Sequence, residues 1–565
     1  MKKTISLLLI ALSAISAFGA AKKQNPNVVE NSDGTITITA VDKDSSVKLN
    51  QKYENQKGVT IIDSKKVTKN NPVTFNLADF GDKEIGIEFS CDIKIETAET
   101  EELDLSWMIN DFEAGMPVII REIVNPNEWV PLKGEKVVAI GQNKSFYLSG
   151  SGLPSEYKIY IKNLNFKLSG ENISSIKVPP TNWMDAPSLK EAYADYFDHF
   201  GLACTYRGEL QRPEIQKGIA RHASSITLGN ESKPDALFGF TKIKTFKDFV
   251  AEDGKTYQMP VEVPNFNTMD ICLMLAKKMG VQVRGHVLVW HSQTPELFFR
   301  ENFSSDPNVP FVDKETMNAR MEWYIKTVLE HVAKWEEEKN GGQRLVYAWD
   351  VVNEAVADGA TTSRWLREDS NWFRVYKDDS FIINAFRYAT KYAPQDIQLV
   401  YNDYGSSNPG KRYGVCQIID KIKATPDARI DAVGMQSHIK INSPVINIED
   451  GNNSFEEAVQ TFINHGVNVQ ITELDVANNK ARYSPMNLKE RYKQLFQMFI
   501  RNRAKDGQKG ITSVTIWGLT DRGTWLDKQT EYIGYKQYPL LLNEDYSCKP
   551  AFFGVLEAAE GAKEE

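Results

Sequence analysis

Two runs in the second half of the chain place a carboxylate at the end of an apolar, β-branched stretch. They are Trp-Asp-Val-Val-Asn-Glu-Ala, residues 349–355, and Gln-Ile-Thr-Glu-Leu-Asp-Val, residues 470–476. A carboxylate is seldom buried at the end of a hydrophobic strand unless a partner neutralises it or the chemistry uses it. Glu354 or Glu473 taken alone reads as half of a buried ion pair. Both in one domain point to paired acid chemistry, the minimal equipment for cleaving a glycosidic bond.

Strand parity adds neighbours to the pair. Side chains two apart on a strand share a face. Glu473 therefore sits with Asp475, Gln436 with His438 on the preceding strand, and His286 with Trp290 on an earlier one. A histidine between two carboxylates holds one in place and keeps it ionised, which sets His438 beside Glu473 with Asp475 on its other side. Such a site contains carboxylates, amides, imidazoles and indoles. These supply hydrogen bonds for hydroxyls and flat faces for pyranose rings. His286, His291 and His438 also invite a zinc site. His286 and His291, however, are five apart on a strand and should face opposite ways, so the reading carries no metal and no other cofactor. His199, His222, His331 and His465 carry no motif and read as surface or capping residues, and Trp349 reads as core.

Positioning these groups requires a particular scaffold. Eight apolar strand candidates lie near residues 201–206, 224–228, 282–290, 345–352, 397–402, 432–438, 468–474 and 512–517. Near-continuous apolar strands are buried on both faces, as in parallel sheets. Amphipathic helical stretches alternate with them, as at residues 455–465 and 488–504. Eight strand-helix units read as an α/β fold of the (β/α)8 barrel type, whose strand C-terminal ends carry the chemistry. An open doubly wound sheet would want a glycine-rich phosphate turn, which this sequence lacks.

The chain has 565 residues, more than one core usually supports, so a second domain is expected. Residues 22–169 alternate with period two in short segments separated by turn residues, which predicts an antiparallel β-sandwich. A linker at 170–183 contains Pro179 and Pro180, and the barrel is expected over 184–560. Before the sandwich, Lys2 and Lys3 precede an apolar run from Ile5 to Phe18 and then small residues, the pattern of a signal peptide over 1–21. The run is short for a membrane span. The expected product is a secreted or periplasmic protein with no membrane insertion after cleavage. A formal net charge of -8 and the absence of a basic stripe exclude a nucleic-acid partner and suit a neutral substrate. Five cysteines with no paired spacing indicate no disulfide framework.

Six segments, in order, resemble the endo-β-1,4-xylanases of glycoside hydrolase family 10. They are Gly-His-Val-Leu-Val-Trp-His-Ser-Gln at 285–293, the run at 349–358, Tyr-Asn-Asp-Tyr at 401–404, Gln-Ser-His-Ile at 436–439, Thr-Glu-Leu-Asp-Val at 472–476 and Trp-Gly-Leu-Thr-Asp at 517–521. The resemblance covers roughly residues 185–555. It implies Glu354 as general acid/base, Glu473 as nucleophile, and retention of configuration, with carboxyl groups about 5–5.5 Å apart. It further implies that Asn353 binds the sugar 2-hydroxyl, and that Gln436 and His438 orient Glu473 with Asp475 behind His438. Asn230, Lys233, His286, Trp290 and Gln293 would contact sugars on the non-reducing side, walled by Trp517 and Trp525. The implied partner is xylan or a xylo-oligosaccharide, bound by a monomer. A related β-1,4-glycanase acting on glucans, and a non-catalytic glycan-binding barrel, are the alternatives.

The sequence departs from that family's pattern in places. Gly229 stands where a glutamate is usual, Ser232 where methionine is usual, and Gly405 where asparagine is common. Residues 238–266 form a longer connection than expected, read as an extra loop beside the cleft. In the first domain, residues 125–133 and 157–168 resemble carbohydrate-binding modules joined to such xylanases. Trp107 is a candidate stacking residue or a core indole there, Trp129 reads as packing, and a spacer without glycan binding is the alternative.

Overall fold

The computed structural model describes residues 181–239, 243–479 and 483–564, and in the N-terminal part residues 28–30, 35–38, 47–63, 74–76, 83–98, 103–110, 118–140, 145–149 and 156–169. The chain divides into two compact units, one of Met1–Pro179 with Lys480–Asn487 and the other of Pro180–Asn479 with Leu488–Glu565. The expected signal peptide and linker residues 170–180 lie outside the described residues, as does the side chain of Trp107.

Among the described residues before Pro179, the strands form antiparallel sheets of seven and four. Their central pair joins Lys83–Glu96 to Lys158–Ser169. Alternation along these strands buries Ile93, Ile95, Ile159 and Ile161 on one face. Trp129 packs edge-on to Tyr53, ring centres 6.4 Å apart. It is half-buried, its Nε1 donates to Glu54 at 3.1 Å, and the Lys162 ammonium lies 4.1 Å from its ring centre.

The second unit is a closed parallel barrel. Its strands are β1 (His199–Cys204), β2 (Ser225–Leu228), β3 (Gln282–Gly285), β4 (Val346–Asn353), β5 (Gln398–Asp403), β6 (Ala432–Met435), β7 (Asn468–Ala477) and β8 (Ile511–Ile516). Each pairs with its sequence neighbour, and β8 returns to β1, so no open edge remains. The barrel strands are buried along nearly their whole length, which is why they read as continuous apolar runs. Trp349 is core: its ring packs so closely on Gly285 that a Cβ there would lie 2.3 Å from it.

Two strands are shorter than their apolar runs. β3 stops at Gly285 and pairing with β4 resumes only at Val289–Trp290. The intervening His286 lies beside Trp290, ring centres 6.2 Å apart, as parity expects, and meets the buried acid Asp350 together with Arg284. β6 stops at Met435 and resumes as His438–Lys440 beside β7, because Ser437 adopts a left-handed conformation at φ 67°. The long connection at 238–266 holds an antiparallel hairpin, Phe246–Val250 with Thr256–Pro260. It does not stand beside the cleft as expected. It packs on the flank of the outer helix Lys314–Asn340, where Glu252 N–H donates to Glu322 at 2.7 Å and Lys255 pairs with Glu315.

Of the histidines outside the motifs, His465 is the C-terminal cap of the helix Phe455–Asn464, as expected, and the others are more integrated than surface residues. His222 is buried, stacked on Trp183, and its Nδ1 accepts the N–H of Leu189 at a helix start. His199 stacks on Tyr347 and His331 on Phe266. Among the described residues, no helix is long and apolar enough to cross a membrane.

Candidate active site

The strand C-terminal ends gather the predicted residues in one place. β4 ends at Asn353, and Glu354 follows with φ 57° while its N–H donates to the carbonyl of Asn402 on β5. The left-handed turn is uncommon for a residue with a side chain, and such strain persists only where the surroundings fix it. They do so here. Arg367 donates from Nε to the Glu354 carbonyl at 2.8 Å and from Nη2 to the carbonyl of Val356, to Asp358 and to Tyr404. The Tyr401 hydroxyl accepts the N–H groups of Ala355 and Val356 and donates to Asp403. Asp403 in turn pairs with buried Lys411 at 2.8 Å.

The Glu354 side chain is 12% exposed and accepts from Trp290 Nε1 at 3.0 Å and Gln436 Nε2 at 2.8 Å. Burial pushes its pKa up, and the charges of Asp403 and Glu473 push the same way against those two hydrogen bonds. Asp403 weighs more than Glu473, a contribution absent from the sequence reading. His291 lies 3.9 Å away, and burial followed by Arg367 drives its pKa down to about 4, so this imidazole is neutral.

Glu473 on β7 is in the opposite state. It is buried, accepts from Asn402 Nδ2 at 2.8 Å, and meets His438 Nε2 at 3.3 Å. Burial acts to raise its pKa, but the His438 hydrogen bond and the charges of His286, His438 and Lys233 prevail and hold it down at about 2. His438 is the ladder partner of Asp475, and its Nδ1 lies 3.0 Å from Oδ1. That contact is an ion pair. Burial disfavours the charged ring, yet Asp475 and Glu473 outweigh it and raise the His438 pKa to about 10. The imidazolium therefore sits between two carboxylates, and Trp525 completes the layer by donating from Nε1 to Asp475 at 2.7 Å.

One hydrogen-bond chain connects the two glutamates. Gln436 Nε2 donates to Glu354 and to Asn353 Oδ1, Asn402 Nδ2 donates to the same Asn353 oxygen and to Glu473, and Asn353 Nδ2 faces Glu354 at 3.3 Å. This corrects the expected role of Gln436. Its side chain holds Glu354, and only its main-chain carbonyl meets Glu473, accepting the Glu473 N–H. The Glu473 side chain is held by His438, as expected, and by Asn402, a residue with no expected role. It is a buried amide at the end of an apolar strand, the signal that identified the carboxylates. Arg367 gave no such signal, since it lies in the polar loop after β4.

Beside the pair, Lys233 Nζ donates to Gln293 at 2.8 Å and lies 5.0 Å from the Trp290 ring centre, and Gln293 donates to Asn230. His286 is locked by Asp350, which also takes the buried Arg284 guanidinium. Trp517 lies edge-on to both His286 and His438. Gly229 leaves its position without a carboxylate, and the next one, Glu231, is occupied by the N–H groups of Tyr206 and Asn230.

Two measurements probe these supports. In the roles the resemblance implies, Glu473 works ionised and Glu354 protonated, so the acid limb of kcat/KM against pH should follow Glu473 and the basic limb Glu354. Replacing His438 by alanine removes the foremost influence holding the Glu473 pKa down while burial remains. The acid limb should then move upward, and a profile superimposable on wild type would sink this account. In Arg367→Lys the charge stays but the fork is lost. We expect kcat to fall about 10- to 100-fold, since a small misplacement of a reacting group costs on that order, with KM little changed.

A closed parallel barrel that carries two carboxylates at its strand ends, one with its pKa pushed up and the other with its pKa held down, has the equipment of a glycoside hydrolase. Residues 188–558 match the model of glycosyl hydrolase family 10, and the chain belongs to that family. It is 34% identical over 376 residues to endo-1,4-beta-xylanase Y of Acetivibrio thermocellus, a match covering 65% of this chain and 32% of that protein. It is 32% identical to an endo-1,4-beta-xylanase of Geobacillus stearothermophilus, covering 66% of this chain and 98% of the other. The chain spans about a third to a half of the length of several curated relatives, with 32% of the A. thermocellus protein and 53% of endo-1,4-beta-xylanase B of Butyrivibrio fibrisolvens matched. Among solved structures, the CBM22-1-GH10 modules of an endo-1,4-beta-D-xylanase from Clostridium thermocellum, complexed with xylohexaose, align over 94% of this chain and 96% of that one. The TM-score is 0.54 at 27% identity.

Proposed function

We propose that the protein is an exported, retaining endo-β-1,4-xylanase that cleaves internal bonds of xylan through a covalent glycosyl-enzyme. The observation that carries this reading is the pair of buried glutamates joined by one amide chain at the strand ends, their surroundings pushing the pKa of Glu354 up and holding that of Glu473 down. The relatives named as endo-1,4-beta-xylanases and the xylohexaose complex of the C. thermocellum modules support the choice of sugar. Export is supported by the charged and then apolar N-terminal segment of the sequence.

The steps follow from charge. Glu354 gives its proton to the glycosidic oxygen while a Glu473 oxygen attacks the anomeric carbon, so the leaving sugar departs as an alcohol and an ester forms. Esterification removes the negative charge of Glu473, and with it one influence that keeps Glu354 protonated. Glu354 then takes a proton from water, whose oxygen attacks the anomeric carbon from the vacated side and breaks its bond to Glu473, which leaves as a carboxylate. Asn230, Lys233 and Gln293 offer donors and acceptors to sugar hydroxyls, and Trp290 and Trp517 offer ring faces. Product analysis on xylan and on cellulose tests the reading. Short xylo-oligosaccharides released from mid-chain are expected, with the β anomer formed first. Release from cellulose without release from xylan would overturn it.

A further inference from the structure

The hairpin within residues 238–266 closes a pocket on the barrel flank that the chemistry above does not use. The pocket has a volume of about 410 Å³, within the range of small-molecule sites. Phe246 forms one wall with its ring 40% exposed, tilted toward Phe303 at 6.2 Å. A large aromatic face left in water at the edge of a concavity is a surface that a sugar ring covers well.

The polar lining decides the ligand class. Arg320 is 4% exposed and stacks its guanidinium 3.8 Å from the Phe303 ring centre. Its Nη1 donates to the carbonyls of Phe298 and Arg300. No carboxylate among the described residues comes within ion-pairing distance of it. Glu301 and Asp313 line the same pocket, so one cation faces two carboxylates and an anionic ligand is disfavoured. Asn302 is exposed, and its amide adds both a donor and an acceptor. An aromatic wall with mixed donors and acceptors and no excess positive charge suits a neutral polyhydroxylated ring.

We propose that this pocket is a second xylan-binding site, taking pentose units of the β-1,4 chain away from the catalytic cleft. The proposal rests on the xylanase reading for the identity of the sugar. None of its lining residues belongs to the cleft, so it acts by holding polymer near the enzyme and raising the local concentration of cleavable bonds. A short soluble substrate gains nothing from that.

The test compares full-length wild type, Phe246→Ala and Phe246→Tyr. Rates are measured on an aryl β-xylobioside and on polymeric xylan, and retardation is measured in xylan-containing gels with Glu473→Gln also present to prevent cleavage. Phe246→Ala should lower the ratio of polymer rate to aryl-xylobioside rate about five- to tenfold, the scale of one lost aromatic contact, and should migrate faster in the xylan gel. Phe246→Tyr keeps the ring and should behave as wild type. Equal retardation and an equal rate ratio for Phe246→Ala would overturn the site. If wild type cleaves no xylan, the functional reading fails, while the gel still decides whether the pocket binds it. Matched melting temperatures separate lost binding from lost folding.

Discussion

Replacing Glu473 by glutamine should lower kcat about 10⁴-fold or more, the scale expected when a covalent nucleophile is lost. The substitution preserves shape, and Asn402 Nδ2 can still donate to the remaining side-chain oxygen. What it removes is the charge that attacks the anomeric carbon. It also changes His438. In the wild type the ring is kept protonated by Asp475 and Glu473 against its burial. With glutamine at 473, one of these two anions is gone and an amide N–H can face Nε2. The His438 pKa should therefore fall from about 10, which an NMR titration of the ring would follow. Activity lost together with a lowered His438 pKa identifies Glu473 as both nucleophile and counter-ion. Xylan cleavage at the wild-type rate would remove the nucleophile from the mechanism altogether. In wild type, a 2-fluoro xylobioside with a good leaving group should add its glycosyl mass to the peptide containing Glu473.

The barrel was legible because each strand is a short apolar run and the polar residues sit at one end of it. That end-of-strand rule found Glu354, Glu473, Asp475 and His438, and parity placed His438 between its two acids. The same rule broke down where the strands break. His286 lies in the gap between Gly285 and Val289, and its partner is Asp350, which is fully buried within β4 with Arg284. A sequence shows Asp350 only as a charge inside an apolar run, without saying which cation crosses from the neighbouring strand to meet it. Gln436 illustrates a second limit. Parity put it on the correct face, but a side-chain amide on that face can reach either glutamate, and the choice depends on where Glu354 is carried by its left-handed turn. Arg367 exceeds both limits. Its four acceptors are two main-chain carbonyls, a carboxylate and a phenol, brought together only by the folded loop.

The left-handed turn also explains why Glu354 needs so much scaffolding. Its carbonyl is held by Arg367, the next two N–H groups by Tyr401, and its own N–H by Asn402. Asp403 participates twice. It orients Tyr401 through the hydroxyl and raises the Glu354 pKa through its charge. Lys411 partly offsets that charge at 2.8 Å, so the field at Glu354 depends on a buried pair and not on a lone anion.

Removing Glu354 should separate the two halves of the reaction, and this is the second large effect expected. In Glu354→Ala the first step on xylan loses its proton donor, so the rate should fall about 10²- to 10⁴-fold, the usual worth of general acid catalysis. An aryl xylobioside whose phenol leaves readily as an anion needs no such proton. It should still transfer its sugar to Glu473 quickly, giving a burst of phenol. The second step then stalls because water has lost its base. Azide needs no deprotonation to attack, and the truncated side chain leaves room beside the anomeric carbon, so added azide should restore turnover and yield the β-xylobiosyl azide. The stereochemistry matters as much as the rate, since a β product records two inversions and an α product only one. In this variant the basic limb of the pH profile, assigned above to Glu354, should also disappear, because the group whose deprotonation ends activity is gone. Steady slow hydrolysis with no burst, no response to azide and an unchanged basic limb would transfer the acid/base role away from Glu354. His291, 3.9 Å away, would not inherit it, because its imidazole stays neutral down to about pH 4.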